Sequence, residues 1–326
     1  MKEIRWGIVG CGEVCEVKSG PAFQELGNSK LVAVMRRNAD KAADFASRHN
    51  VPKWYSDADK LINDPDVNAI YIATPPGSHL EYTIKAAKAG KPVYVEKPMG
   101  RTHAECMEMI KVCKNAGVPL FVAYYRRRLP YFLKVKELLK KGVIGNVTMV
   151  SINLVKPPKD DDFDDLPNWR VNPAISGGGY FHDLASHQLD LMSFLFGDIV
   201  EAHGVKNNAL GLYKAEDSVT ASFKFDSGLV GSGAWTFTSL WEHHNDEVTI
   251  IGDKGRITFA CFDSETPVTL DTEDDWKEFS VPYPAHVQQP LIKTIIGELN
   301  GIGKCPSTGE SAAKTNWVID KVLGIV

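Results

Sequence analysis

The sequence predicts a two-domain α/β protein: a doubly wound parallel sheet at the N-terminus, then an α/β (α+β) domain with a mostly antiparallel sheet. Three observations predict it. Short apolar, β-branched runs alternate with helical stretches from residue 1 to about 122. A glycine-rich turn, Gly10-Cys11-Gly12-Glu13-Val14-Cys15, joins the first run to the first helix. After residue 123 the pattern changes to strands of alternating polarity joined by hairpin turns. The expected domains are therefore 1–122 and 123–326.

In the first domain the strands are Ile4–Val9, Leu31–Val34, Ala69–Ala73, Pro92–Val95 and Leu120–Ala123. They are nearly continuous apolar runs, as strands covered on both faces require. Helices fall between them at Val14–Leu26, Asp40–His49, Ser78–Ala89 and His103–Ala116, with Gly90 and Gly117 as left-handed stops. In the second domain the expected helices are Tyr131–Lys141, His182–Phe196, Val287–Asn300 and Glu310–Leu323. Its strands are Val147–Val155, Glu201–Asn207, Ser218–Phe225, Leu229–Thr238, Glu247–Ile251 and Arg256–Ala260. Turns at Asp226–Gly228 and Gly252–Gly255 join some of them. Five aspartates between 160 and 165 read as a solvated loop, with a lid over a site as the second reading.

Composition narrows the function. Of 326 residues, 44% are hydrophobic and 24% charged, so there is ample material for a core. With 37 basic and 41 acidic residues the net charge is −4, which leaves no footprint for nucleic acid and no polybasic membrane patch. No signal-peptide pattern and no membrane-length apolar run is present. The six cysteines lack metal-like pairing and read as free thiols in a reducing compartment. A soluble cytoplasmic protein is expected; a secreted chain already trimmed of its leader is the other reading.

The glycine turn carries the first chemistry. Gly10 permits a tight turn and Gly12 lets the backbone approach a pyrophosphate. The helix beyond offers free N–H groups and a positive dipole end. Cys15 stands where G-x-G-x-x-G/A has its third small residue, and it is small enough for helix-to-strand packing. The second strand runs into Arg36-Arg37-Asn38. An NAD-selective fold places Asp or Glu there to accept bonds from the ribose hydroxyls. Guanidinium groups pair instead with a 2′-phosphate, so NADP is predicted over NAD, with NAD as second choice.

Three further motifs follow in order: Thr74-Pro75-Pro76-Gly77-Ser78-His79, Glu96-Lys97-Pro98, and Asp183-x-x-x-His187 after Gly177–Gly179. With the glycine turn, this ordered set resembles the glucose–fructose oxidoreductase/inositol dehydrogenase family (Gfo/Idh/MocA) over almost the whole length. The resemblance implies a Rossmann domain plus an α/β domain whose open sheet often mediates oligomers, hence a homo-oligomer, dimer or tetramer. It implies hydride transfer between a nicotinamide and a carbinol carbon of a sugar, polyol or diol. It assigns Lys97, Asp183 and His187 as the catalytic set and places Glu96 near the nicotinamide side. The residues expected against the cofactor are Gly10, Cys11, Gly12, Glu13, Val14, Arg36, Arg37, Thr74, Pro75, His79, Glu96, Lys97, Arg126, Trp169 and Arg170. The chain departs from the family at Cys15 and at the missing acid by Arg36.

The residues themselves are compatible with this chemistry. Lys97 sits past the carboxyl end of a parallel strand, where ligands bind in doubly wound sheets. Oxidising an alcohol needs a base for the hydroxyl proton, and an ammonium stabilises an alkoxide. A trans bond to Pro98 would hold Lys97 extended; the resemblance implies a cis bond. Asp183, His187 and Asp190 fall on one helix stripe, where an acid and an imidazole can orient a hydroxyl and relay its proton. By position alone Lys97 could be a surface lysine, Asp183 a first-turn acid and His187 a satisfied core histidine. Whether Lys97 or His187 is the base stays open, since their titrations can couple. His182 and His187 are five apart, on different helix faces, so no metal is expected. His243, His244, Trp235 and Trp241 receive no assignment. Two other readings remain: an oxidation–elimination enzyme that recycles its cofactor, and a nicotinamide-sensing protein without catalysis.

Overall fold

The computed structural model describes residues 2–164 and 168–325. The chain forms two compact units. The first holds the residues up to Arg128 together with Pro284–Ala313, and the second holds Leu129–Tyr283 and the residues from Lys314 on. The expected split at 122 thus moves to 128, and a late segment returns to the first unit. Hydrogen bonding at a sheet edge accounts for that return, as described below.

The first unit is built on β1 (Ile4–Val9), β2 (Ser29–Met35), β3 (Lys53–Tyr55), β4 (Ala69–Ile72), β5 (Val93–Val95) and β6 (Leu120–Val122). They form one sheet in the order β3-β2-β1-β4-β5-β6, every pair parallel. The order reverses between β1 and β4, and the carboxyl ends there are where such sheets bind ligands. Helices α1 (Gly20–Glu25), α2 (Ala39–Arg48), α3 (Ala58–Ile62), α4 (His79–Lys88) and α5 (His103–Ala116) connect the strands. Gly90 and Gly117 have φ of 68° and 66°, the left-handed stops expected of them. The expected helix Val14–Leu26 is two pieces, a π-helical turn at Cys15–Ser19 and then α1. β3 and α3 escape the sequence pattern because each is short, and β3 is an edge strand with Trp54 facing solvent.

One face of this sheet carries an aromatic stack. Trp6 packs on Phe23 at 4.8 Å, Phe23 on Tyr71 at 5.3 Å, and Tyr71 on Tyr94 at 4.8 Å between ring centroids. All four are almost fully buried. Pairs of this kind add roughly 0.5–1.5 kcal/mol to the burial energy.

The second unit is built around α6 (Pro130–Lys140), α7 (Pro173–Ser176) and α8 (Ser186–Phe196), with an eight-stranded sheet. The strands are β7 (Val147–Val155), β8 (Ile199–Asn207), β9 (Ser218–Phe225), β10 (Val230–Thr236), β11 (Asn245–Gly252), β12 (Gly255–Phe259), β13 (Val268–Thr272) and β14 (Trp276–Phe279). Their order is β14-β13-β12-β11-β7-β10-β9-β8, antiparallel except for the parallel pair β7–β10. β13 and β14 add to the expected strands. One face buries Val150, Ile152, Leu154, Trp235, Val248 and Ile257. On the other face, cross-strand register lines up Thr269, Thr258, Thr249, Ser151, Ser232 and Ser222, none of them buried.

The aspartate segment is not uniformly solvated. Asp162 is buried, accepting from the Tyr180 hydroxyl at 2.7 Å and the Lys159 amide at 2.8 Å. Asp161 accepts from Asn168 at 2.7 Å. Asp165, the last of the five aspartates, lies outside the described residues.

The late segment contains α9 (Gln289–Leu299) and the start of α10 (Gly309–Leu323). It closes the β6 edge: the Val122 amide donates to the Ser307 carbonyl at 3.2 Å, and Ser307 Oγ donates to the Val122 carbonyl at 2.7 Å. Phe121 and Thr308 form an antiparallel bridge beside them. An uncovered edge strand presents unpaired backbone groups, which this segment satisfies.

Candidate active site

Gly10 ends β1 with φ of 91°. A Cβ there would lie 2.6 Å from Thr74 Cγ2 and 3.0 Å from the Thr74 amide nitrogen, so glycine lets the turn close on the loop after β4. The Gly10 and Cys11 amides both donate to the Met35 carbonyl, at 2.9 and 3.0 Å. That anchors the turn at the carboxyl end of β2, beside Arg36, which is half-buried, and Arg37, which is exposed. Around Gly12, a Cβ would meet only the Gly10 carbonyl, at 3.9 Å, leaving a cradle open to a ligand. Glu13 is exposed and Val14 half-buried next to this cradle. Cys15 is fully buried, and a Cβ on Gly20 would strike its carbonyl at 2.2 Å, so Gly20 is where the helix needs to be smallest. Burial pushes the Cys11 thiol up to about 11 and raises that of Cys15 further.

The loop after β4 is tied to the loop after β5. His79, at the start of α4, is fully buried. Its Nε2 lies 2.7 Å from the Thr74 carbonyl, and its Nδ1 lies 3.2 and 3.1 Å from those of Pro98 and Met99. Burial lowers its pKa, while the carbonyls of Thr74 and Met99 and the Glu96 charge oppose that shift. With both nitrogens facing protein carbonyls, His79 holds the two loops rather than presenting a free edge. Thr74 and Pro75 are half-buried, and Ser78 Oγ donates to Thr74 Oγ1 at 2.8 Å.

Lys97 follows β5 and is half-buried, and its bond to Pro98 is cis. Glu96 beside it is 7% exposed. Its Oε1 accepts from the Tyr71 hydroxyl at 2.5 Å and from Gln288 Nε2 at 2.6 Å, and its Oε2 accepts from the Lys97 amide at 3.2 Å. Desolvation and the Glu96 charge raise the hydroxyl pKa of both Tyr71 and Tyr94, keeping them neutral donors. Arg126, also in the first unit, is buried with its guanidinium 5.0 Å from the Tyr125 ring centre.

The remaining predicted residues lie in the second unit. A π-helical turn, Phe181–Ala185, precedes α8 and carries Asp183. Arg170 Nε sits 3.5 Å from Asp183 Oδ2, so the structure brings these two predicted residues together. The Arg170 guanidinium lies 4.5 Å from the Trp169 ring centre, and the Arg170 amide donates to Asn168 Oδ1 at 3.0 Å. His187 is buried with its ring 6.0 Å from that of Phe262. Asp190 is also buried and accepts from the buried Thr315 Oγ1 at 3.4 Å.

The glycine triplet has a packing reason that sequence spacing does not show. A Cβ on Gly178 would lie 2.8 Å from His182 Cβ and 3.3 Å from Glu216 Oε1, and one on Gly179 would lie 2.7 Å from Ala215 Cβ. Burial raises the Glu216 pKa, and among the described residues its Oε1 has no hydrogen-bond partner. Gln288 and Glu216 are absent from the sequence-derived set because neither sits in a motif. Among the described residues no three His, Cys, Asp or Glu side chains are grouped as a metal ion would need, and no helix is long and apolar enough to cross a membrane. All six cysteines are buried and none forms a disulfide.

A parallel sheet with a glycine cradle at its switch point defines a dinucleotide-binding unit. Residues 4–124 match the model of the oxidoreductase family with an NAD-binding Rossmann fold, and residues 132–258 match the GFO/IDH/MocA C-terminal domain. The chain belongs to the GFO/IDH/MocA family and is an oxidoreductase that uses a nicotinamide cofactor. It is 42% identical to Oxidoreductase P35 of Formosa agariphila over 98% of both chains. It is 26% identical to the 1,5-anhydro-D-fructose reductase of Ensifer adhaerens, over 99% of this chain and 95% of that one. Among solved structures, the WlbA dehydrogenase of Bordetella pertussis, in complex with NADH and UDP-GlcNAcA, superposes with a TM-score of 0.85 at 25% identity, over 99% of this chain and 96% of that one.

Behind the glycine turn, Glu16 is pinned by Arg48 through two bonds of 2.7 and 2.8 Å and by His49 at 2.7 Å. The Arg48 bonds, with help from His49, hold its carboxyl down to about 2 from the usual 4.5. A lowered folded-state value stabilises the protein above pH 4.5, and that stabilisation is lost as pH falls toward 2. The carboxyl is partly exposed, so solvent screening reduces its contribution to about 1 kcal/mol. Urea melts of the wild type and Glu16→Gln should differ by that amount at pH 6 and converge near pH 2. A gap that persists at the acid end would contradict this.

Proposed function

We propose that this enzyme transfers a hydride between NADP(H) and a carbinol carbon of a sugar, polyol or related diol. The observation that carries the reading is Lys97, fixed at the carboxyl end of β5 by a buried Glu96, in the sheet whose switch point bears the glycine cradle. The cradle fits a dinucleotide, because the space a Cβ on Gly12 would fill is open. Gly10, Cys11, Gly12, Glu13 and Val14 would hold the pyrophosphate, with Arg36 and Arg37 at the adenosine end and Thr74 and Pro75 alongside. When bound, the nicotinamide supplies the hydride acceptor or donor.

In this reading Lys97 exchanges the proton of the substrate hydroxyl and, as an ammonium, stabilises the developing alkoxide. Asp183, oriented by Arg170, accepts a hydrogen bond from a substrate hydroxyl, and His187 is the alternative acceptor of the proton. Glu96 and His79 hold the Lys97 loop. Arg126 and Trp169 complete the expected cofactor set. The name of the Ensifer adhaerens relative supports a sugar-like substrate. Lys97→Ala should cut kcat by about 10²–10⁴ while leaving NADPH binding measurable. A panel of 1,5-anhydro-D-fructose, aldoses, polyols and vicinal diols, read by nicotinamide absorbance, supplies the substrate. Unchanged turnover in Lys97→Ala would remove its role.

NADP is the proposed cofactor over NAD because Arg36 follows the carbonyl that anchors the glycine turn and no carboxylate stands in its place. Fluorescence titration should show NADPH binding more tightly than NADH, and Arg36→Ala should weaken NADPH by about tenfold or more, the worth of a charge-assisted bond. Tighter NADH binding by the wild type would overturn the preference.

A homo-oligomer, dimer or tetramer, is proposed through the hydroxyl-lined face of the second unit's sheet, where Met149 and Val230 are also exposed. Ser151→Arg at the centre of that face should shift sedimentation to a smaller species; a monomeric wild type would refute the proposal. A cytoplasmic location is supported by six buried cysteines of which none forms a disulfide, and cell fractionation checks it.

A further inference from the structure

We propose that Gln288 is a positioning residue for Lys97, delivered by the late segment of the chain and acting through Glu96. The proposal rests on the role of Lys97 given above. Gln288 is fully buried at the start of α9, its amide donating to the Lys18 carbonyl at 3.2 Å and its own carbonyl accepting from Ile292 at 3.0 Å. Its side-chain orientation follows from its partners. The Glu96 carboxylate can only accept, so Nε2 faces it at 2.6 Å, and Oε1 accepts from the Tyr94 hydroxyl at 2.7 Å. Glu96 therefore receives two donors on Oε1, from Tyr71 and Gln288, and uses Oε2 for the Lys97 amide.

A buried carboxylate turns toward whatever donors it has. With Tyr71 and Gln288 in place, the plane of the carboxyl is set and Oε2 stays on the Lys97 peptide. Without Gln288, one donor remains on Oε1 and the carboxyl can rotate away. Gln288 then acts on turnover only by way of Glu96, and this separates a positioning role from a general packing role.

The test is a double-mutant cycle on NADPH-loaded protein, with the substrate that the panel yields. Glu96→Gln and Gln288→Met should each lower kcat about tenfold, with NADPH affinity within twofold in Gln288→Met, and the double variant should be no worse than the poorer single. Multiplying losses, or a loss in NADPH affinity with kcat intact, would overturn the proposal. If Gln288→Met does not fold, Tyr71→Phe, which removes the other donor, takes its place in the cycle. An independent reading comes from amide hydrogen exchange. Exchange at Lys97 should quicken by about tenfold in Gln288→Met with β5 otherwise unchanged, and an unchanged rate at Lys97 overturns the proposal. If Lys97→Ala keeps wild-type turnover, the catalytic reading falls instead, and exchange at Lys97 still decides whether Gln288 positions it.

Discussion

The buried carboxylate of Glu96 is the constraint on which the first unit depends. A charge removed from water costs several kcal/mol unless hydrogen bonds replace its hydration. Here the donors come from three places far apart in sequence: Tyr71 on β4, the Lys97 amide after β5, and Gln288 ahead of α9. The Lys97 amide is the next residue, but Tyr71 and Gln288 cannot be supplied locally, so the carboxylate specifies the relative placement of two strands and a helix. The aromatic stack serves the same end. Trp6 and Phe23 wedge Tyr71 and Tyr94 into one orientation, and the two hydroxyls then reach Glu96 and Gln288.

The two glycine-rich segments solve different problems. At Gly10 and Gly12 the missing side chains bring the turn close to Thr74 and leave backbone facing open space. At Gly178 and Gly179 they admit Ala215 and Glu216 against the turn that carries Asp183. The first kind makes room for a ligand and the second makes room for the protein itself. Both stand next to residues of the proposed chemistry, but only the first is a ligand motif.

Much of the architecture was legible in the sequence. The parallel strands announced themselves as apolar runs, and the helices between them by period and by Gly90 and Gly117. What was not legible was short or non-local. Lys53–Tyr55 is too brief and too exposed to show a period, and Trp276–Phe279 is almost entirely exposed. The π-helical turns at Cys15–Ser19 and Phe181–Ala185 look like ordinary helix in sequence. Asp162 reads as one more acid in a solvated run, because the burial that decides its role comes from Tyr180. The proposed site divides the same way. Lys97, Asp183 and His187 stand in motifs, whereas Gln288 and Glu216 have no local signature and become visible only when distant segments meet.

The return of Pro284–Ala313 to the first unit has a consequence for synthesis. A domain encoded in one stretch can finish folding as it leaves the ribosome. Here the N-terminal sheet emerges early but lacks the strand-edge cover of Ser307 and the donor of Gln288 until more than 150 further residues have been made. Leu129–Tyr283, most of the second unit, is translated in between. Completion of the nucleotide-binding unit is thereby coupled to synthesis of Pro284–Ala313, and a chain that stops short of this segment carries an exposed edge at β6 and an undersatisfied carboxylate, features that quality-control proteases and chaperones can recognise.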